Sequence, residues 1–435
     1  MPASPIRKNR VSNPVFFVGG GLRGPKGLRP PRQSGERPVF RNEMYTLSQY
    51  LMTLSDPDGL TRTLGAVEVC RDPAGRMCFS VGNSAAVFRI RHEGRIRSLR
   101  CYLRPQRHLK EIYGERLLER ELYLYTSPRS GVWVDAVIGE WIEGEDLHTV
   151  IARAAEAGDR QRLEALAGAF DRLAAAMVAD DRAHGDLKPE NILVDAAGRL
   201  HVIDLDASFL PGMEGETSPE LGTAAYQHPA RTAADFNERL DDYPAALIST
   251  ALHALSLDPT LWKRFGSADA LLYDPRRAAT DPALEETLRQ FEARGMALAY
   301  RMARLLRAPR PELPELPGLL AEAARRAECR EAGLPPLGEP LSDEMPELFA
   351  EGGRWGFRTA ERVVIPPLYD NGFDFTEGLA AVLLGRTWHF IDLQGRTRLS
   401  CTGCEAVKPF RDGYARILRH GHWLRVDPEG HEFEI

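Results

Sequence analysis

The chain has 435 residues, of which 43% are hydrophobic and 27% charged, and a formal net charge of −6 at pH 7. This length and apolar content suit two or three domains with a sizeable core, and the mildly acidic balance offers no overall basic field for nucleic acid. No apolar run approaches the roughly 18 residues of a membrane span, and the six cysteines have no framework spacing, so the expectation is a cytoplasmic protein with free thiols and no secretory leader.

Residues 1–43 are rich in Pro, Gly and Arg, as in "GGGLRGPKGLRPPRQSGERP". They carry too little apolar surface to order themselves. A disordered basic tail is expected, or sequence upstream of a start at Met44; a basic arm for RNA or an acidic partner is the sharper alternative. From Met44 the pattern changes. "MCFSVGNSAAVFRIRHEGRIRSLRCYLRP" alternates around a tight turn at His92–Gly94 and predicts a β-meander. "RHLKEIYGERLLERELYLY" sets Leu109, Ile112, Tyr113 and Leu117 on one helical face, so a helix is expected there. "GVWVDAVIGEWIEGEDL" returns to strand, and "RQRLEALAGAFDRLAAAMVADD" is an amphipathic helix, with further helix to about Ala332. Strands first and helices afterwards imply an α+β domain of two unlike lobes over residues 44–333.

"LPPLGEPLSDEMP" predicts a proline-rich linker at residues 334–346. Residues 347–435 read as a β-rich repeat domain. Trp355, Trp388 and Trp423 recur at intervals of 33 and 35 residues, and Phe375-x-x-Gly378 returns as Phe410-x-x-Gly413. Each unit is expected to bury its Trp and Phe against the next, because one unit cannot form a core alone. "CTGC" at Cys401 and Cys404 reads as two packed thiols, since a lone C-x-x-C lacks the second pair of a zinc site. His420 and His422 are explained by a hairpin turn.

Chemistry concentrates in "AHGDLKPENILVDAAGRLHVIDLD", residues 183–206. Phosphoryl transfer needs a positioned nucleophile, a metal to bridge phosphates, and positive charge around the moving group. Asp186 can orient a hydroxyl, and Lys188 can touch the transferred phosphate. Asn191 is a neutral oxygen ligand suited to Mg²⁺, and Asp204 supplies a second carboxylate beyond a hairpin. The bland alternative is a surface loop whose polar residues cap turns.

"HGDLKPEN" with "DLD" resembles the catalytic and metal-binding loops of the protein kinase superfamily, and the likeness extends over about Met44 to Ala332. It implies a two-lobed kinase-like fold with ATP and Mg as cofactors, Asn191 and Asp204 holding the metal. "GTAAYQHPA" resembles the end of an activation segment; Thr223 would hydrogen-bond toward Asp186 and Lys188, and Tyr226 to Pro229 would form the wall that receives a peptide. "DDYPAA" resembles the start of the central helix of the second lobe, with Asp241 holding the catalytic-loop backbone. "GEWIEGEDL" resembles the hinge, where backbone groups of Glu140 and Ile142 would receive adenine. "SVGNSAAVF" can be laid on the phosphate-covering loop, with Gly82 as its middle glycine and Val87 roofing the adenine; Ser80 and Ala85 replace the flanking glycines. Leu193 would floor the adenine. The C-terminal part is similar to WG β-repeats.

The likeness also breaks. The third-strand lysine of the family falls on Arg100, and Ser98 takes the usual alanine site. Arginine keeps the charge but not the point-charge geometry. Lys110 lies on the following helix and would point elsewhere. The partner glutamate is expected at Glu115, with Glu119 one turn on as the alternative; the bland reading of either is a solvated surface acid. Gly185 stands where many protein kinases carry the arginine that pairs with a phosphorylated loop, which implies independence from loop phosphorylation. Ala230 replaces the glutamate that usually ends the segment.

Three functions are compatible with these residues. Lys188 and the "GTAAY" segment favour a Ser/Thr protein kinase acting on a protein substrate, with the repeats binding a protein or peptide ligand and no part for nucleic acid or membrane. Arg100 motivates a pseudokinase scaffold as the alternative. A small-molecule phosphotransferase shares His-Gly-Asp but lacks a Gly-Thr-x-x-Tyr segment.

Overall fold

A computed structural model describes residues 44–65, 67–331 and 345–434. The expected tail at 1–43 and most of the expected linker at 334–346 lie outside the described residues. The chain is a mixture of helix and sheet that divides into two compact units: one runs to Thr149 and includes Pro189–Leu210, the other comprises Val150–Lys188 and the chain from Pro211 onward.

The first unit opens with α1 (Leu47–Ser55). Thr46 caps it: the Gln49 amide donates to Thr46 Oγ1 at 3.3 Å, and the Thr46 amide donates to Gln49 Oε1 at 2.7 Å. The strands β1 (Glu68–Val69), β2 (Phe79–Val81), β3 (Ala85–His92) and β4 (Arg95–Tyr102) come next. Glu93 and Gly94, at φ 47° and 74°, make the tight β3–β4 turn that the sequence predicts. After α2 (Leu109–Tyr113) come β5 (Leu117–Ser127) and β6 (Ser130–Glu140). These strands form one antiparallel sheet in the order β1-β3-β4-β6-β5, with β2 on β3. Tyr50, Leu51 and Leu54 of α1 pack with Phe88, Ile90, Leu99 and Leu122 in its core. A second small sheet joins β7 (Gly144–Asp146), β8 (Ile192–Asp195) and β9 (Leu200–Val202).

The helix expected over the stretch that begins at Arg107 is five residues long. Gly114 sits at φ +53°, a conformation that ends the helix, and a single 3₁₀ turn leads into β5. From Leu122 to Tyr125 the alternating leucines and tyrosines pair with β6 instead. Tertiary pairing thus overrides a helical periodicity that rested on only four residues.

The second unit contains α3 (Leu147–Glu156, its first turn in the first unit), α4 (Arg160–Val178), α5 (Asp242–Leu257), α6 (Thr260–Phe265), α7 (Pro282–Ala293), α8 (Ala297–Leu305) and α9 (Leu316–Glu331). Asp171 of α4 is wholly buried; it accepts from Ser249 Oγ at 2.5 Å and lies 2.8 Å from His253 Nε2, both on α5. The β-rich C-terminal region forms three small antiparallel sheets. They are β10 (Glu347–Glu351), β11 (Arg354–Arg358) and β12 (Val363–Tyr369); then β13 (Asn371–Gly372), β14 (Ala380–Leu384), β15 (Thr387–Ile391) and β16 (Thr397–Cys401); then β17 (Ala406–Arg411), β18 (Tyr414–Arg419), β19 (His422–Val426) and β20 (Glu432–Glu434).

The three tryptophans occupy equivalent strands β11, β15 and β19, and Gly378 and Gly413 share φ near +80°, as a repeat requires. Burial is not equivalent. Phe375, Phe410 and Trp388 are buried, whereas Trp355 is half-buried and Trp423 is exposed. Among the described residues the last sheet has no further sheet to cover its tryptophan.

Side chains from the helices reach into the repeats within this unit. Arg301 of α8, buried, donates from Nε to the Leu368 carbonyl at 2.6 Å and from Nη2 to Asp370 at 2.5 Å. Glu292 of α7 accepts from the Arg386 amide at 2.7 Å and from Thr387 Oγ1 at 3.0 Å. At Gly295 a Cβ would stand 2.2 Å from Thr397 Oγ1, so only glycine permits that approach. Independent melting of repeats and helices, which a proline-rich linker alone would suggest, is therefore not what this packing favours.

Arg301→Met is expected to lower stability by about 2 kcal/mol, since it strands a carbonyl and a carboxylate; in urea the helices and repeats of the second unit should unfold together in wild type, and at a lower midpoint in the variant. Burial lowers the His253 pKa, but the charge and hydrogen bond of Asp171 outweigh it and hold it above 6.5. A raised pKa stabilises the fold fully below the unfolded-state value and fades as pH rises through the folded-state value. The melting temperature should thus fall more in wild type than in His253→Gln between about pH 6 and about pH 9.

Candidate functional site

In the first unit the site is organised by Arg100, opposite Val87 on β3 and Val137 on β6. Its guanidinium is mostly buried, at 14% side-chain exposure, so it requires an anion. The loop after β9 supplies two. Asp204 adopts a left-handed φ of 66° and leads into a 3₁₀ turn at Leu205–Ala207. Arg100 Nη2 then pairs with both Asp204 and Asp206, and Nε donates to Asp206 Oδ2 at 3.1 Å. Asp206 Oδ1 accepts from Tyr113 Oη at 2.7 Å and Tyr102 Oη at 3.1 Å. Ala85, Tyr102, Tyr113 and Val137 pack as a small cluster with Ile112 and Leu205. Burial alone would lower the Arg100 pKa; the carboxylates of Asp204 and then Asp206 raise it, and the group stays charged. Burial raises the phenol pKa of Tyr102 and Tyr113, so both remain hydroxyl donors to Asp206.

This corrects the glutamate expected beside Arg100. Glu115 is exposed on the 3₁₀ turn after the truncated helix, and Glu119 is exposed on β5 with Lys110 Nζ 3.5 Å away. Asp206 takes the place assigned to them. Sequence reading gave Asp206 no role, although a second carboxylate two residues after Asp204 matches the wider fork of an arginine.

The remaining candidates of this unit divide. Asp204 is 38% exposed at its side chain, and Arg100 engages its Oδ1. Oδ2 takes no hydrogen bond among the described residues, so it can serve a hard cation. Asn191 is buried in the 3₁₀ turn Pro189–Asn191, and its carbonyl accepts from the Ile203 amide at 2.9 Å. Gly82 has an ordinary φ, and a Cβ there would meet only the Ala85 carbonyl at 3.7 Å, so the fold itself does not demand glycine. Val87 and Leu193 are half-buried, and Leu193 pairs with Asp146 and His201. Ile142 is half-buried after β6, and the Glu140 carbonyl accepts from Ser98 Oγ at 3.0 Å.

In the second unit, Asp241 is wholly buried and accepts from the amides of His184 at 2.5 Å and Gly185 at 3.0 Å. Burial raises its pKa against these bonds. Asp186 Oδ1 accepts from the Thr223 amide at 2.6 Å, and Asp186 Oδ2 lies 2.9 Å from Lys188 Nζ, which also donates to Thr223 Oγ1 at 2.8 Å. The structure thus brings Asp186, Lys188 and Thr223 together. Tyr226 differs from expectation: its ring is fully buried, and Gln227 and His228 are buried beside it, so of the expected peptide wall only Pro229 is exposed.

Arg231 was not singled out from sequence. It is buried and donates from Nη1 to the Gly185 carbonyl at 2.8 Å and to Gln227 Oε1 at 2.5 Å. Burial lowers its pKa against the pull of Asp241 and Asp186. Gly222, at φ +71°, lies so close that a Cβ would stand 2.9 Å from the same carbonyl. The segment leading to Arg231 is thereby pressed onto the Asp186 loop. The signal was an arginine just past "HPA", next to Ala230.

Cys401 and Cys404 are buried free thiols in the repeat core. Among the described residues no helix is long and apolar enough to cross a membrane. Residues 359–388, which run from before β12 into β15, match the family model described as the WG containing repeat. No curated protein matches the chain.

Arg231→Met should free the Asp186 loop. Losing a charged donor to a buried carbonyl is worth roughly 1–3 kcal/mol. Amide hydrogen exchange over residues 184–188 should speed up by about tenfold or more, with α5 unchanged.

Proposed function

We propose that the chain is an ATP- and Mg-dependent, protein kinase-like phosphotransferase of two-lobed design that acts on Ser/Thr hydroxyls of a protein substrate. The observation that carries this reading is the joint held by Lys188, whose ammonium bridges Asp186 and Thr223. Asp186 orients the attacking hydroxyl, and Lys188 meets the transferred phosphoryl group with positive charge. Asn191 and Asp204 would hold Mg²⁺, which neutralises phosphate charge when bound. Gly82 lets the chain approach phosphates, Val87 and Leu193 enclose adenine, and backbone groups at Glu140 and Ile142 address its edge. Arg100, fixed by Asp206, replaces the usual lysine as phosphate anchor. The setting would be the cytoplasm, whose reducing potential suits six free cysteines. The WG repeats serve as a partner-binding module.

One observation favours the second reading, a pseudokinase scaffold. Arg100 is shared between two carboxylates, which leaves less of its charge for phosphates.

Radiolabelled ATP with a generic basic protein separates the two. If the site turns over, Asp186→Asn and Asp204→Ala should each lower the initial rate by about 100-fold or more, Arg100→Lys should retain activity, and Arg100→Ala should lose it. Absence of transfer in all five proteins, with nucleotide-dependent thermal stabilisation intact in wild type, would leave the scaffold reading. Unchanged transfer in Asp204→Ala would remove the kinase reading.

A further inference from the structure

Three cations stand in one row across the last sheet. Lys408 on β17 lies opposite Arg416 on β18, Arg416 opposite Arg425 on β19, and Arg425 opposite Phe433 on β20. The neighbouring row holds Ala406, Leu418 and Trp423. Val407, Ala415, Ile417 and Val426 alternate with these residues and are buried in the repeat core, so both rows face outward.

The arrangement works against the fold. Like charges directly opposite on adjacent strands destabilise a sheet, and here two such pairs adjoin. Lys408, Arg416 and Arg425 are exposed, and the ion pair that this sheet does make among the described residues, Arg419 with Glu432 at 2.7 Å, involves none of them. Apolar rings lie on the same face. Tyr414, Trp423 and Phe433 are 39%, 38% and 44% exposed, against a buried Trp388 at the equivalent place in the preceding unit. Lys408 Nζ stands 5.2 Å from the Trp423 ring centroid, and Tyr414 meets Phe433 edge to face at 5.7 Å. Aromatic rings and arginines are the side chains that dominate protein interfaces.

We propose that this face binds an acidic segment of a partner protein. Its carboxylates would take the planar forks of Arg416 and Arg425, and its apolar side chains would cover Trp423, Tyr414 and Phe433. Carboxylates at alternate positions of an extended segment lie about 6.8 Å apart, a span that arginines on strands about 4.8 Å apart can reach. A protein segment fits better than a nucleic acid. The Trp423 ring already carries an ammonium, and Tyr414 and Phe433 are turned edge to face, so there is no run of open ring faces for successive bases. The proposal rests on the repeats being a partner-binding module and does not depend on phosphoryl transfer.

The test is fluorescence anisotropy of the full-length protein with fluorescein-labelled deca-glutamate at low salt, and with a labelled oligo(U) RNA for comparison. Deca-glutamate should bind and be released by salt. Arg416→Glu with Arg425→Glu should weaken it by about tenfold or more. Arg95→Glu with Arg129→Glu, exposed arginines of the first unit, should leave it unchanged. Arg416→Gln with Arg425→Gln should also lose binding while melting no lower than wild type, because the opposed charges are relieved. No binding of deca-glutamate, equal loss in the control pair, or tighter binding of RNA overturns the proposal. Phosphate transfer in the same variants, if wild type shows it, should be unaffected, so failure here and failure of the kinase reading are told apart.

Discussion

Taking a charged side chain out of water costs several kcal/mol unless counter-charge or hydrogen bonds replace the solvent. In this chain that constraint decides where the loops lie. In the first unit, buried Arg100 draws in the loop after β9, which turns through a left-handed Asp204 so that two carboxylates reach one guanidinium. In the second, buried Asp241 gathers the amides of His184 and Gly185, and buried Arg231 takes the Gly185 carbonyl from the other side. Arg301 of α8 does the same where β12 ends, holding the Leu368 carbonyl and the Asp370 carboxylate. Irregular backbone has no ladder to hold it, so these few charged groups stand in for one.

Phosphoryl transfer asks little of a protein beyond position and charge. Under the proposed phosphotransfer, the contacts among Asp186, Lys188 and Thr223 would supply both locally, and Arg231 presses the segment carrying Thr223 onto that loop. An arginine at position 100 becomes intelligible through its partners, Asp204 and Asp206. A planar fork can hold two carboxylates at once, where an ammonium would act as a point charge. Asp206, steadied by two tyrosine hydroxyls, stands where a helix glutamate was expected, and the helix that would carry that glutamate is only one turn long.

The repeats show the same physics from the other side. Their interior is ordinary: Phe390, Phe410, Ile417 and Val426 pack with two thiols. Their last outer face is not, because it opposes like charges across three strands and leaves aromatic rings in water. Such a face is costly for a monomer and useful to a module that recognises acid.

Much of this was legible in the sequence. The meander around Glu93 and Gly94, the long amphipathic α4 and the Trp and Phe-x-x-Gly periods are local patterns, and local patterns survive folding because turn chemistry and face periodicity act over a few residues. The motif from His184 to Asp206 was equally plain, since its residue types and spacing are themselves the signal. Three things were decided only by tertiary structure. A helical periodicity that rested on Leu109, Ile112, Tyr113 and Leu117 gave way at Gly114 to strand pairing with β6, because burial against a neighbour outweighs a weak local preference. The counter-ion of Arg100 and the clamp at Arg231 came from residues 106 and 46 positions distant from their partners, a separation that no local pattern encodes. The exposure of Trp423 was set by its surroundings in space, not by its place in the repeat, because a repeat buries its face only when another sheet arrives to cover it.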